Sequence, residues 1–138
     1  MDTVIFACRH NAGRSQMAAA FFNRLVDPMR ARGISAGTTP ADRVHPEVLE
    51  VMREKDFELA GVKPQRLTAD LAAAARHMIT MGCGEECAYL PGVKVEDWKL
   101  EDPKGQPIAR VREIRDDIEG RVRALVEAHG WAAATTRA

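Results

Sequence analysis

Residues 4–15 read Val4-Ile5-Phe6-Ala7-Cys8-Arg9-His10-Asn11-Ala12-Gly13-Arg14-Ser15. The first four form a short apolar run typical of a buried strand, and apolar residues recur at helical spacing from Ser15 to about Met29. The stretch therefore predicts a strand, a loop and a helix in succession. Such a loop offers successive backbone N–H groups and a helix N-terminus, and both favour negative charge.

Three side chains of this loop have the spacing Cys-x5-Arg-Ser: Cys8, Arg14 and Ser15. The planar guanidinium of Arg14 can bind two oxygens of one anion. Positive surroundings favour the thiolate form of Cys8, which is the nucleophilic form. The Ser15 hydroxyl can donate a hydrogen bond to that sulfur. The motif predicts a site that holds a tetrahedral oxyanion against a thiolate, rather than a cysteine that is merely buried.

The whole loop contributes candidate oxyanion-binding residues. Gly13 lets the backbone turn its N–H inward, and Asn11 tolerates a left-handed conformation and can brace the loop with its amide. Arg9 and His10 add local positive charge, although a solvated role for each agrees equally well with the sequence. The candidates are Arg9, His10, Asn11, Ala12, Gly13, Arg14 and Ser15.

Length and composition indicate one ordinary globular domain. The 138 residues are 46% hydrophobic and 29% charged, and 20 basic residues balance 20 acidic ones. This balance favours neither a nucleic acid nor a membrane surface as partner. The N-terminal apolar run is too short for a signal peptide or a membrane span, so we expect a cytoplasmic protein. Three cysteines there suggest metal ligands or catalytic thiols more than a disulfide framework.

The order of the elements predicts an α/β fold, with a parallel sheet and helices on both of its faces. We expect a single domain over residues 1–130 and a frayed tail over residues 131–138. Ligands of such sheets bind at the carboxyl ends of the strands, and Cys8 lies at such an end. The predicted strands are Val4–Ala7, Gly33–Gly37, Met78–Met81 and Val93–Trp98, and the predicted helices are Ser15–Met29, one opened by His45-Pro46, Leu71–Arg76 capped by Asp70, and Pro107–His129.

Asp102-Pro103 is the second candidate element. An acid in a loop ahead of the last helix could protonate a leaving oxygen, which is the role of a general acid. Asp-Pro also initiates turns, and Gly105 follows, so Asp102 could instead be only a turn residue. Beside the Cys8 loop we favour the acid. The neighbouring Glu101 could be mistaken for it.

Cys83 and Cys87 form the third element, on the loop after the predicted strand Met78–Met81. In a parallel sheet this loop lies at the same edge as the Cys8 loop. Two thiols four residues apart, beside flexible glycines, can close into a disulfide if the backbone rearranges. A metal site with His77 matches no common zinc spacing and lacks a fourth ligand. Two passive thiols are the other alternative, and His45, His77 and His129 carry no motif, so we expect them at the surface or at helix ends.

The Cys8–Ser15 loop and Asp102-Pro103 resemble the low-molecular-weight protein tyrosine phosphatases, and Cys83 and Cys87 resemble the thiol-coupled arsenate reductase branch of that family. The resemblance covers nearly the whole chain. It implies a three-layer fold with a four-stranded parallel sheet flanked by helices. The further residues that carry it are Ser35-Ala36-Gly37-Thr38, Trp98 and Arg115-Asp116.

The resemblance also implies roles: Cys8 as nucleophile, Arg14 and the loop amides as oxyanion binders, Ser15 as stabiliser of the thiolate and Asp102 as general acid. Some relatives bind potassium through the loop asparagine and an acidic residue early in the next helix. Here residues 16–20 contain no carboxylate, so we expect this cation site to be weak or absent. We predict no metal ligands, and the thiol chemistry proposed below requires no cofactor.

The function predicted is reduction of arsenate to arsenite through a relay of Cys8, Cys83 and Cys87. The expected reductant is thioredoxin or a low-molecular-weight thiol/glutaredoxin system, and phosphate or sulfate would mimic the substrate. The alternative is a protein tyrosine phosphatase whose later cysteines protect the first; it has Trp98 but no tyrosine near Asp102. A non-catalytic oxyanion or metalloid sensor is disfavoured, because binding alone needs neither a nucleophile nor an acid.

Overall fold

The apolar run near the N-terminus forms the central strand of a parallel sheet. In the computed structural model, which describes residues 1–82 and 93–133, the strand order is β2-β1-β3-β4 and all neighbours run parallel. The predicted α/β fold with four parallel strands is confirmed. In chain order the elements are β1 (Asp2–Cys8), α1 (Arg14–Leu25), β2 (Ala31–Gly37), α2 (Pro46–Arg53), α3 (Ala69–Ala73), β3 (His77–Met81), β4 (Lys94–Asp97) and α4 (Ile108–His129).

Side chains of β1 alternate between two hydrophobic clusters, one on each face of the sheet. Phe6 belongs to the larger cluster, to which α1, α2 and α4 contribute, and its ring lies 5.4 Å from that of Phe22. Ile5 and Ala7 belong to the smaller cluster, which Ala72 of α3 completes. Helices therefore cover both faces, and the protein has the expected three layers. A strand that is buried on both faces reads as a continuous apolar run, as this one does.

Two predicted helix boundaries differ from the structure. α1 ends at Leu25 rather than near Met29, and Val26 is already extended. Pro28 contributes, because Asp27, the residue before it, avoids the helical conformation, and Val26 itself forms an antiparallel bridge with Ala132. Thr68, rather than Asp70, caps α3: its Oγ1 accepts the N–H of Leu71 at 3.1 Å.

The prediction of a frayed tail from residue 131 is wrong where the structure describes it. Trp131 is 4% exposed, its ring meets that of Phe22 at 5.7 Å, and its Nε1 donates to Asp2 at 3.2 Å. The backbone of residues 131–133 also bonds that of residues 25–27. A large aromatic ring next to an open core edge gains more from burial than the chain loses in entropy. The rest of the predicted tail lies outside the described residues.

An ion-pair network joins α2 to α4. Arg115 is 6% exposed, and its Nη1 donates to the Val51 carbonyl at 2.8 Å and to Glu54 at 2.7 Å. Arg112 donates to the same carboxylate at 2.8 Å. Hydrogen bonds from Arg112 and Arg115 lower the pKa of Glu54 to about 2. The network fixes α2, and α2 in turn anchors the segment that borders the Cys8 loop.

In the part of the chain that the structure describes, no helix combines the length and the apolar character needed to cross a bilayer.

The expectation that His77 lies at the surface or at a helix end is wrong, because it is buried at the amino end of β3. Its ring meets the ring of His129 at 4.7 Å, and the charged groups of Asp2, Lys94 and Arg76 also act on it. Burial, and then the charge of His129, lower the pKa of His77 below the ordinary 6.5. The folded protein therefore favours the neutral imidazole.

We predict that the protein loses stability as the pH falls from about 7.5 to about 5.5. The unfolded chain takes up a proton at His77 near the ordinary pKa, whereas the folded chain takes it up only at lower pH, so protonation favours unfolding. The urea midpoint, measured at both pH values, should fall, and the fall should be smaller in His77→Gln. Equal falls in both proteins would assign the effect to other groups.

Candidate active site

Cys8 is the last residue of β1 and lies at the carboxyl edge of the sheet. It is 2% exposed and is flanked by Gly37 of β2 on one side and Met81 of β3 on the other. The predicted site thus lies between the ends of three neighbouring strands. A bulky group at Gly37 has no room, because a Cβ there would come within 2.7 Å of the Arg9 carbonyl oxygen.

The loop after Cys8 turns its carbonyl groups toward a wall formed by residues 38–45. C=O and N–H of one planar peptide point in opposite directions. The N–H groups of residues 9, 10, 11 and 13 therefore point away from this wall, in the arrangement that favours an anion. The bonds are from the N–H of Thr38 to Cys8, Thr39 to Arg9, Ala41 to His10 and His45 to Ala12, at 2.7–3.2 Å.

Asn11 is buried and has a positive φ of 50°, as its tolerance of left-handed backbone predicts. Its Oδ1 accepts the backbone N–H of Gln65 at 2.9 Å and an N–H of Gln16 at 3.1 Å. A backbone N–H can only donate, so this bond decides which end of the amide is the oxygen. The Nδ2 end therefore donates to Ser15 Oγ, at 2.7 Å.

Ser15 connects this amide to the sulfur. Its Oγ lies 2.9 Å from Cys8 Sγ, and because Asn11 already donates to Oγ, the hydroxyl hydrogen is available to the sulfur. The N–H of Asn11 itself also donates to Sγ, at 3.3 Å. The sulfur thus has two hydrogen-bond partners within the loop. The geometry agrees with the predicted role of Ser15, which stays a proposal.

Arg14 begins α1, and its side chain is 8% exposed. Nη1 donates to the Leu100 carbonyl at 3.1 Å, and Nη2 lies 3.7 Å from a carboxylate oxygen of Asp102. No side chain caps this helix end, so in the described part of the chain its N–H groups remain available beside Cys8. A guanidinium and a helix N-terminus thus converge on the loop.

Asp102 combines the two interpretations of the sequence. It makes a turn, since Oδ1 accepts the N–H of Lys104 at 3.0 Å, and its other oxygen faces Arg14. Pro103 is buried against the loop: a Cβ on Gly13 would lie 2.9 Å from its Cγ. This packing brings Asp102 to the site. Glu101 instead pairs with Arg110 at 2.9 Å.

The remaining predicted residues of the loop have lesser contacts. The side chain of His10 is tied to the wall, since Nδ1 lies 3.1 Å from the Thr39 carbonyl oxygen, and this distance requires Nδ1 to be protonated. Arg9 is exposed, and Ala12 and Gly13 are buried. Cys83 and Cys87 lie outside the described residues.

His45 lies at a helix end, as expected, at the N-cap of α2. Its ring is also near the loop, because a Cβ on Gly13 would be 3.6 Å from its Cδ2. Burial lowers the pKa of His45. Within residues 1–82 and 93–133, no three His, Cys, Asp or Glu side chains are grouped to hold a metal.

Four contributors escaped the sequence analysis. Gln16 and Gln65 hold Asn11, the Leu100 carbonyl holds Arg14, and Gly82 lies against Arg14. Position at the carboxyl edge of the sheet was the only available signal for Gly82 and Leu100. For Gln65 the bonding group is the backbone N–H, which no residue type reveals.

The fold and this loop define the family. The sequence profile described as low molecular weight phosphotyrosine protein phosphatase matches residues 3–133, and the chain belongs to this family.

Within it, several similar proteins carry the names of arsenate reductases. A Halobacterium salinarum protein, provisionally named an arsenate reductase, is 45% identical over 123 residues, which are 85% of each chain. The glutaredoxin arsenate reductase of Synechocystis is 30% identical over 129 residues, 91% of this chain and 97% of the relative. The solved thioredoxin-dependent arsenate reductase of Corynebacterium glutamicum superposes with a TM-score of 0.80 and 38% identity over 93% of this chain, which spans 61% of that longer chain.

We predict that Ser15→Ala slows alkylation of Cys8 by iodoacetamide at pH 7 about tenfold. A hydrogen bond to a charged group contributes about 1.5–3 kcal/mol, and its loss removes one of the two contacts that stabilise negative charge on the reacting sulfur. The rate is measured in a Cys83→Ser/Cys87→Ser background, so that only Cys8 reacts. Ser35→Ala, on β2, is the matched control and should stay within twofold. Equal rates for Ser15→Ala and its parent would remove Ser15 from the proposed role.

Proposed function

We propose that the protein is an arsenate reductase that converts arsenate to arsenite through Cys8, Cys83 and Cys87. Its family membership and the names of its most similar relatives support the activity. The observation that carries the proposal is the geometry at Cys8 Sγ, which accepts the N–H of Asn11 and lies 2.9 Å from the Ser15 hydroxyl that the Asn11 amide holds. A tetrahedral oxyanion bound there meets a thiolate.

The first step forms a sulfur–arsenic bond. The Cys8 thiolate attacks the arsenic of arsenate, and an arsenic–oxygen bond breaks. Asp102 gives its proton to the departing oxygen, which leaves as water. Arg14 and the loop N–H groups stabilise the charge on the remaining oxygens. Asp102 is favoured over Glu101 for this role because it faces Arg14, whereas Glu101 pairs with Arg110.

The second step transfers the electrons. The Cys83 thiolate attacks Cys8 Sγ, and the sulfur–arsenic bond breaks with its electron pair on arsenic. Arsenic is thereby reduced from the +5 to the +3 state and leaves as arsenite, while Cys8 and Cys83 form a disulfide. Cys87 then attacks Cys83, which frees Cys8 and leaves a Cys83–Cys87 disulfide for an external thiol reductant to reduce.

The position of Met81 supports this relay, although both later cysteines lie outside the described residues. Met81 is paired with Cys8 in the sheet, and Cys83 follows it by two residues in the sequence. A two-residue span reaches at most about 7 Å. The span from Met81 to Cys83 therefore keeps Cys83 within a short chain distance of the strand position that pairs with Cys8.

The reductant we propose is a thiol protein or a small thiol. One similar protein is named for glutaredoxin and another for thioredoxin, and both belong to the same chemical class. We propose the cytoplasm as the location, since a relay that ends in a disulfide needs a reducing compartment.

A phosphatase is the second candidate, because the family profile carries that name and a phosphoester would satisfy the same donors. Phosphotyrosine recognition, however, calls for an exposed aromatic surface. Trp98 is 3% exposed, packs on Phe6 and donates its Nε1 to Glu96, so it does not serve this purpose. We propose weak phosphatase activity beside the reductase.

Serine variants of the three cysteines test the relay. Cys8→Ser, Cys83→Ser and Cys87→Ser should each abolish arsenate-dependent turnover, because each removes one thiol of the chain of exchanges. Reductant consumption is followed with thioredoxin and its reductase, and separately with a glutaredoxin and small-thiol system. The relative rates in the two assays identify the reductant.

Hydrolysis of a chromogenic phosphate ester is the control for the same variants. It should be slow, abolished in Cys8→Ser and unchanged in Cys83→Ser. Normal arsenate turnover by Cys83→Ser would disprove the relay, and rapid ester hydrolysis without arsenate turnover would establish the phosphatase instead.

The acid is tested by a matched pair of neighbours. Asp102→Asn should slow formation of the first adduct by about 100-fold, since general acids contribute about 10²–10⁴. Glu101→Gln, which loses only its pairing with Arg110, should stay within twofold. Rapid-quench measurement of arsenylated Cys8 in a Cys83→Ser background, where the adduct is not resolved, measures the step. The reverse order of effects would assign the proton to Glu101.

A further inference from the structure

We infer that Gly82 is a positioning residue of the oxyanion site, because its lack of a side chain allows the Arg14 guanidinium to lie against the backbone where β3 ends. The inference rests on the proposed function in one respect, namely that Arg14 binds the oxyanion. Its subject is the geometry that places this group.

The guanidinium occupies the space that a side chain at position 82 would need. A Cβ on Gly82 would lie 2.9 Å from Cζ and 3.1 Å from Nη2 of Arg14, and closer still to Nη1. Carbon atoms of real side chains essentially never approach other heavy atoms within 3.0 Å. All three atoms belong to one plane, so the whole end of the guanidinium faces the bare Cα.

Arg14 also has two polar partners. Nη1 donates to the Leu100 carbonyl, and Nη2 faces Asp102. A methyl group at position 82 pushes on Nη1 most strongly, and Nη1 makes the bond to Leu100. The end of a long side chain can move, so the consequence is a displaced guanidinium rather than a disrupted core. Oxyanion binding depends on the position and direction of this fork.

The backbone places a separate demand on the residue. Gly82 has a φ of +87°, which side-chain-bearing residues rarely adopt. Gly130, at the end of α4, shares this demand with a φ of +68°, but a Cβ there would meet nothing within 4 Å. Alanine at either position therefore strains the backbone, but only alanine at position 82 also collides with Arg14.

The position of Gly82 gives the contact its significance. It follows Met81, the partner of Cys8 in the sheet, and precedes Cys83 in the sequence. One peptide segment thus bounds the anion-binding guanidinium and leads to the thiol proposed to clear the adduct. A movement of the Gly82 backbone would therefore also change the surface against which the Arg14 guanidinium lies.

Phosphate binding to the reduced protein tests the inference without any turnover. Calorimetric titration should show a dissociation constant for phosphate that is at least tenfold larger in Gly82→Ala than in the wild type. In Gly130→Ala the dissociation constant should change by less than twofold. Thermal unfolding of both variants measures the shared cost of the positive φ. Unchanged phosphate affinity in Gly82→Ala, or an equal loss in Gly130→Ala, would overturn the inference.

A second pair of variants links the effect to Arg14. In an Arg14→Lys background the guanidinium is absent, so Gly82→Ala should weaken phosphate binding by less than twofold further; a full tenfold loss would contradict the inference. If Gly82→Ala alone does not fold, the double variant Arg14→Ala/Gly82→Ala should fold, because the collision with the guanidinium is gone. A double variant that does not fold would contradict the inference. A wild type that turns over no arsenate, while Gly82→Ala still weakens phosphate binding, is a separate outcome. That result would refute the proposed function and leave the inference about Gly82 intact.

Discussion

The side-chain amide of Asn11 is the constraint on which the rest of the site depends. It is buried, its residue has a left-handed backbone, and its oxygen is committed to the N–H of Gln65. Its nitrogen must therefore face Ser15, and the Ser15 hydrogen is available to Cys8. The amide thus sets both the shape of the loop and the direction of the hydrogen bonds that end on the sulfur. An unpaired buried amide costs about 1–3 kcal/mol, so the arrangement resists rearrangement.

The Arg14 guanidinium and the groups around it come from separate parts of the chain. Arg14 begins α1, the Leu100 carbonyl and Asp102 come from the loop after β4, and Gly82 directly follows β3. Parallel strands bring these segments together because all their carboxyl ends lie at one edge. The loop after β1 is shaped by nearby residues, whereas the positions of the Arg14 guanidinium and of Asp102 depend on the neighbouring segments.

Local patterns predicted much of this architecture. The apolar run of β1 and the helical spacing of α4 were sufficient for these elements, because burial repeats along each of them. The end of α1, the cap of α3 and the burial of Trp131 were missed. Pro28 held a signal for the first, whereas the burial of Trp131 depends on a gap beside Phe22 that exists only in the folded chain.

The sequence by itself determined the chemistry of the loop: a thiol, a guanidinium and a hydroxyl at fixed spacing between a strand and a helix. Only the tertiary structure decided how these groups are oriented and which carboxylate faces them. The reason is distance along the chain: Asn11 and Gln65 are 54 positions apart, and Arg14 and Leu100 are 86 apart. Hydrophobic periodicity acts over a few residues, whereas hydrogen bonds between distant segments exist only once the sheet has aligned its strands.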